Sequence, residues 1–191
     1  MDSDGPTTVA LTVNAPAWEE GLGEDLDPPE PLDAAAERIV RAALAAAVVT
    51  PWLKAGEVSL LLTDDREIRA LNAAYRNKDR ATNVLSFPGL DLIDGKADVG
   101  RPPAAVLGDI VISHERLVAE AAELEKAPLD HFAHLLVHGT LHLLGYDHED
   151  DGRAEVMEAL EARVLKTLGF AAPYAPVAEA EDQPAALSVA S

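Results

Sequence analysis

The sequence predicts an α/β domain of the α+β kind, with one mixed sheet of about four strands covered by helices. Two observations predict it. Short aliphatic and β-branched segments alternate with longer segments of helical periodicity, in the order β-α-β-α-β-β-α-α-α. The 191 residues are 48% hydrophobic, enough for a single domain with its own core, and they contain no internal repeat.

Residues 1–8 are expected to be disordered, 9–170 to form the domain, and 171–191, rich in Ala, Pro and Glu, to be a mobile tail. Val9 to Val13 alternates weakly and suits an edge strand; residues 14–31 are rich in Pro, Gly, Glu and Asp and read as loop. Asp33 to Val49 is an Ala-rich helix with Asp33 as its N-cap and Pro51 beyond its end. Glu57 to Leu62 is a strand, and Thr63 to Glu67 resembles a capping pattern that opens a helix running to Tyr75. Asn83 to Phe87 is a short strand stopped by Pro88-Gly89, residues 90–105 an exposed loop, and Leu107 to Ile112 another strand. A helix from Ser113 or His114 reaches about Lys126. Pro128 suits the first turn of the next, which ends at Gly145. Asp150 or Asp151 caps a last helix, stopped after Leu168 by Gly169.

Composition narrows the chemistry. There is no cysteine, so disulfides and thiolate metal ligands are excluded, which suits a cytoplasmic protein. The start, MDSDGPTT, has neither the positive nor the apolar region of a signal peptide. The longest apolar run, Ala42 to Val49, falls far short of the ~20 residues of a membrane span, so no membrane partner is expected. A net charge of −19 opposes nucleic-acid binding, but residues 1–37 hold ten acids and residues 170–191 three, with no Lys or Arg in either; residues 38–169 are left at −6. Within them Arg76, Lys78 and Arg80 form a local basic cluster.

The segment "HGTLHLLGYDH" (138–148) carries the strongest chemical signal. Its spacing is that of the long zinc-protease signature H-E-x-x-H-x-x-G-x-x-H, with Gly139 where the signature has Glu. His138 and His142, four apart, share a helix face and can aim two imidazoles at one ion. Gly145 can take the left-handed conformation that ends a helix and turns the chain back to bring in His148. Three nitrogens leave tetrahedral zinc an open position, the catalytic pattern, with one ion expected per chain. His131 and His134 lie on the same stripe. His134 cannot share an ion with His142, since eight residues span ~12 Å; both are expected to face the core, the ligand histidines or a substrate.

The segments "LNAAYRNKDRATNVLSFP" (71–88), "LGDIVIS" (107–113) and "HFAHLLVHGTLHLLGYDH" (131–148) resemble, in order and style, the YbeY family of bacterial rRNA-maturation endoribonucleases. "MEALEARVLKTLGF" (157–170) resembles that family's closing helix, so the resemblance covers about residues 55 to 174. It implies a zincin-like fold and a zinc-dependent, single-strand-specific ribonuclease. It further implies a role in 16S rRNA 3′-end maturation and ribosome quality control, with rRNA and the small ribosomal subunit and its proteins as partners. The family's zinc ligands fall on His138, His142 and His148, and its functional arginine on Arg76. Where the family often has Pro, this chain has Ala81, which changes loop stiffness and no chemistry.

A zinc peptidase needs a carboxylate base beside the bound water, and Gly139 cannot supply one. Its missing side chain is expected to leave room for an extended substrate. Phosphodiester cleavage instead places charge on phosphate oxygens, which a guanidinium such as Arg76 can grip with two parallel hydrogen bonds. Asp109, inside an apolar strand, is either a catalytic base facing the cleft or an Asp at a bulge. Lys78, Arg80, Asn83, Ser86 and His134 are candidate substrate contacts, and Asp147 either orients a ligand histidine or shapes the turn. Two other functions compete: a non-catalytic, zinc-stabilised ribosome assembly factor, which the acidic charge favours, and a metallopeptidase, which the missing Glu disfavours.

Overall fold

Strand β2 (Glu57–Thr63) is the inner strand on which the sheet is built. Its apolar side chains alternate, so Val58, Leu60 and Leu62 are fully buried on one face. The computed structural model describes residues 7–20, 22, 30–98, 100 and 105–174. Strand β1 (Thr8–Val13) pairs with β2 in parallel; β4 (Val106–Ser113) pairs with β2 in parallel and with β3 (Val84–Pro88) antiparallel. The order β1-β2-β4-β3 makes a four-stranded mixed sheet, as expected, with β1 at one edge, as its weak alternation suggests, and β3 at the other.

The two faces of this sheet are covered unequally. On one lie α1 (Leu32–Ala47), α4 (Pro128–Leu143) and α5 (Asp151–Leu168), whose Ile39, Leu44, Phe132 and Leu136 pack with Leu60, Ile110 and Ile112 into the main core. Each such side chain, fully removed from water, contributes roughly 1.5–3 kcal/mol before entropy is counted. On the other face α2 (Asp65–Arg76) lays Ile68 against Leu85 and Val111, with Leu61, Leu71 and Phe87 around them. α3 (His114–Glu123) joins β4 to α4. Among the described residues no helix is long and apolar enough to cross a membrane.

Local chemistry sets the helix ends. Asp64 caps α2 by accepting the Glu67 N–H at 2.8 Å, and Asp150 caps α5 by accepting that of Arg153 at 2.9 Å. Asp33 is not the cap of α1: the helix opens one residue earlier behind Pro31, and the Asp33 carboxylate takes the Ala34 N–H instead. α1 stops at Ala47, short of Val49, because the Val49 and Thr50 N–H groups turn away to the Gly95 carbonyl. α3 stops at Glu123 rather than Lys126, where Glu125 turns left-handed (φ 53°) and the Lys126 N–H closes on the Ala121 carbonyl.

Four expectations about loops and ends need correction. Thr7 and Thr8, assigned to a disordered start, belong to the fold: Thr7 is buried with its hydroxyl on the Lys54 carbonyl at 2.5 Å, and Thr8 opens β1. The segment after β1 is more than loop. Pro16–Glu20 forms a 3-10 turn anchored by buried Trp18, whose indole N–H donates to the Thr63 carbonyl at 2.9 Å. In the loop after β3, Leu92 is buried in the main core rather than exposed. Ala171–Tyr174, assigned to the mobile tail, are placed, with Tyr174 hydrogen-bonded to Glu161. The rest of both expected mobile ends, residues 1–6 and 175–191, lies outside the described residues.

Gly145 shows how tightly one turn is specified. It has φ 82°, and a Cβ there would run into the Leu92 carbonyl oxygen. Gly169, which ends α5 at φ 81°, has nothing within 4 Å of a Cβ. Gly169→Ala is therefore expected to cost about 1 kcal/mol of unfolding free energy from backbone strain alone. Gly145→Ala is expected to cost at least twice that. Urea denaturation of the two variants against the parent protein measures the difference, and equal costs would show that the Leu92 carbonyl does not constrain the turn.

Candidate metal centre

The helix α4 brings His138 and His142 onto one face, one turn apart, and the Gly145 turn returns the chain so that His148 joins them. Each ring offers a nitrogen, and these three nitrogens lie within 4.8 Å of one another. The turn is fastened from several sides. The Tyr146 N–H reaches the Leu141 carbonyl at 3.1 Å, the Tyr146 hydroxyl the Ala47 carbonyl at 2.9 Å, and the Gly95 N–H the Leu144 carbonyl at 2.9 Å.

Hydrogen bonds behind the rings fix their tautomers. His138 Nδ1 lies 2.7 Å from Glu161 Oε1, and His142 Nδ1 lies 3.0 Å from the Tyr146 carbonyl oxygen. An ionised carboxylate and a carbonyl can only accept, so both Nδ1 atoms carry the proton and donate. Both Nε2 atoms then present lone pairs, and these face each other 3.0 Å apart. Two lone pairs held at that distance repel unless a cation sits between them. Neutral imidazole is also the form that binds a metal. Burial pushes His142 down to about 4, with the neighbouring His138 and His148 adding to the fall and the Tyr146 carbonyl opposing it, so this ring is neutral at pH 7. The donor set therefore fits a divalent ion of the zinc type, and the three histidines can hold one.

Glu161, which no sequence motif singles out, is the centre of this arrangement. It lies on α5 at 1% exposure, with no Lys or Arg partner among the described residues. Burial alone would raise its carboxyl group, but hydrogen bonds from His134, His138 and Tyr174 outweigh that and hold it at about 2. His134 Nε2 donates at 3.1 Å, and the Tyr174 hydroxyl donates to the same oxygen. His134 is thus a holder of Glu161 rather than a substrate contact. A weaker sequence signal does exist: Glu161 falls in line with Met157, Val164 and Leu165 on the buried stripe of α5, where a carboxylate is out of place without a polar task.

In front of the histidines is a cleft of about 280 Å³, lined by His138, His142, His148, Arg76 and residues 83–86 and 88. Arg76 leaves the end of α2, donates to the Ser86 carbonyl at 2.8 Å, and has its guanidinium carbon 5.9 Å from the Phe87 ring centroid. One donor and one flat face are so engaged, which leaves the rest of the fork for a ligand. Ser86 and Asn83 both line the cleft. The Asn83 amide is largely committed, however, donating to Glu120 at 2.8 Å and accepting from the Val84 N–H at 2.7 Å. Glu120 also takes the Nε2 proton of buried His131 at 2.8 Å.

Other candidates stand elsewhere. Lys78 is exposed on the turn after α2 and is not among the cleft's lining residues. Arg80 lines a different depression, with Arg66, Arg69 and Arg116. Asp109 is not at the histidines either. β4 holds one extra residue at Leu107, between the pairs Glu57–Val106 and Val58–Gly108, and beyond this bulge Ile110 faces α4. Asp109 therefore points to the opposite face, beside a groove that Tyr75 and Phe87 also line, and the catalytic role expected for it does not survive this placement. Asp147 shapes the turn, with its carboxylate on Arg153 at 2.7 Å and on the Glu149 N–H at 3.2 Å. Gly139 does not open space for substrate. A Cβ there would sit 3.0 Å from Ile110 and 3.2 Å from the Ser86 hydroxyl, so its bareness lets α4 close on the sheet.

Replacing Glu161 with Gln keeps the shape but removes the charge behind His138. Glu161→Gln is expected to weaken metal affinity roughly ten- to a hundredfold while the protein stays folded. Competition against a colorimetric chelator reads this directly, and unchanged affinity would show that the carboxylate does not tune the site.

Comparison with known proteins places the chain among relatives. Residues 25–169 match the family described as "Endoribonuclease YbeY". The protein of that name from Rhizobium meliloti (strain 1021) is 51% identical over 155 residues, covering 78% of this chain and 89% of its own. Its namesake from Rhizobium johnstonii is 56% identical over 120 residues, covering 63% and 67%, and that from Agrobacterium fabrum 55% identical over 119 residues, covering 62% and 68%. Among solved structures, TM1509 from Thermotoga maritima aligns over 85% of this chain and 91% of its own, at 19% identity and a TM-score of 0.47. A match across this much of the chain, at this identity and over the segments that build the histidine site, makes it a member of the YbeY family.

Proposed function

We propose that this protein is a zinc-dependent endoribonuclease that cuts single-stranded RNA. Its cellular task is 16S rRNA 3′-end maturation and ribosome quality control, in the cytoplasm, with the small ribosomal subunit and its proteins as partners. The name shared by its relatives supports the reaction class. One observation in the structure carries the reading furthest: three convergent histidine nitrogens and a half-tethered arginine face one cleft.

A zinc ion held by His138, His142 and His148 would supply Lewis acidity toward a phosphoryl oxygen and water. The chain's own residues do the rest. His138 and His142 reach the cleft through Nε2 because Glu161 and the Tyr146 carbonyl hold their other nitrogens. Arg76 grips non-bridging phosphate oxygens as charge develops on them, with its orientation kept by the Ser86 carbonyl and the Phe87 ring. Ser86 and Asn83 border the strand on the β3 side.

Peptide hydrolysis fits less well. Among the described residues lining the cleft there is no carboxylate to serve as the base. Nor is there space for one at position 139, where Ile110 and Ser86 crowd the backbone.

His142→Ala leaves only two of the three ring nitrogens, and stoichiometric zinc is expected to be lost. Elemental analysis after chelator washing checks this, and one retained ion per chain would overturn the ligand assignment. Arg76→Ala is expected to keep fold and zinc but to slow single-turnover cleavage of a labelled single-stranded RNA about a hundredfold, with only partial recovery in Arg76→Lys. Equal rates for Arg76→Ala and the parent protein would remove this side chain from the mechanism. Equal cleavage by metal-free and zinc-restored protein would remove the metal.

A further inference from the structure

Arg80, a candidate for the cleft from its sequence position, lies instead in a depression of about 570 Å³, lined by Asp65, Arg66, Arg69, Asp79, Ala81 and Arg116. Within it Arg69 forms a two-pronged pair with Asp79 (2.7 and 3.1 Å), and Arg116 pairs with Asp65 at 3.2 Å. Both aspartates are thereby engaged. Arg66 and Arg80 are exposed and have no carboxylate partner among the described residues. The hydrogen bond from Asn72 to the Arg80 carbonyl at 2.8 Å holds the backbone of the turn beneath that side chain.

The depression is joined to the cleft by α2 itself. Arg66, Arg69 and Arg76 stand at i, i+3 and i+10 and so share one helix face, strung over about 15 Å of its axis. Arg76 at the far end reaches the histidine cleft. In a chain of net charge −19, six of its fifteen Lys and Arg are gathered on α2, the turn after it and the start of α3. A local cationic track on an otherwise acidic protein attracts a polyanion there and repels it elsewhere.

We propose that the depression around Arg66, Arg80 and Arg116 is a second phosphate-binding site. It takes the backbone of the single-stranded RNA whose reacting phosphate lies at Arg76, and the strand runs along the arginine face of α2 between the two. This rests on the reading of the protein as an RNA-cutting enzyme, but binding tests it independently of cleavage.

The test is fluorescence anisotropy of a labelled, extended single-stranded RNA with the full-length, zinc-loaded protein. The parent protein is compared with Arg66→Ala/Arg80→Ala and with the charge-matched control Lys54→Ala/Lys166→Ala, both of whose residues are exposed and outside this surface. The arginine pair is expected to weaken binding about tenfold, and the slope of log affinity against log salt to shrink by about 0.7 for each phosphate no longer neutralised. The control is expected to do neither, and Arg66→Lys/Arg80→Lys to recover most of the binding. Equal affinity and slope in the arginine variant and the parent protein would overturn the proposal. Equal losses in the control variant would overturn it too, since net charge alone would then explain them. So would competition by polyglutamate as effective as that by unlabelled RNA, because the surface would then be a site for acidic protein. If the arginine variant loses affinity while no RNA is cut by the zinc-loaded parent protein, this site stands and the catalytic reading falls.

Discussion

A buried carboxylate with no Lys or Arg partner among the described residues is the constraint around which this protein is arranged. Glu161 is satisfied by His134, His138 and Tyr174, three donors from α4 and the segment after α5. An isolated buried charge would be costly, but the three hydrogen bonds compensate it. The same interaction dictates which nitrogen His138 turns toward the cleft. The Tyr146 carbonyl does this for His142. The outcome is two lone pairs face to face at 3.0 Å, an arrangement that the protein fold maintains and that a metal ion can complete.

The rest of the fold serves that geometry. α1 and α5 bury the back of the histidine helix α4, and Gly139 lets it approach the sheet closely enough for Ser86 to border the cleft. Gly145 turns the chain where any Cβ would strike the Leu92 carbonyl, and in doing so delivers His148. On the thinly covered face, α2 does two things. Its apolar side packs on Leu85 and Val111, and its polar side carries arginines from the depression to the cleft.

Much of this is legible in the sequence because it depends on local periodicity. The order of strands and helices follows from hydrophobic spacing, and the convergence of His138, His142 and His148 from helical pitch and a glycine turn. What is illegible depends on interactions between distant segments. The role of Glu161 requires knowing that α5 packs against α4, although its position in an apolar stripe is a visible anomaly. For Asp109 the sequence leaves two readings open, a base in the cleft or an Asp at a bulge, and only the pairing of β4 with β2 decides for the second, because one extra residue at Leu107 resets which side chains of β4 face the helices. Gly139 reads as open space because the missing side chain is visible in sequence, whereas Ile110 and Ser86 filling the gap are not. Arg80 and Arg76 are four residues apart, yet the left-handed turn at Asn77 (φ 55°) sends them to different surfaces.

Three histidines, each presenting one ring nitrogen, can hold a single metal ion, with Glu161 fixing the orientation of His138 from behind. X-ray absorption spectroscopy of the zinc-loaded protein tests it most directly. Three imidazole nitrogens are expected at about 2.0–2.1 Å, with the remaining ligand an oxygen from solvent. A shell with fewer than three imidazoles, or one that loses a carboxylate oxygen when Glu161 is replaced by Gln, would contradict it.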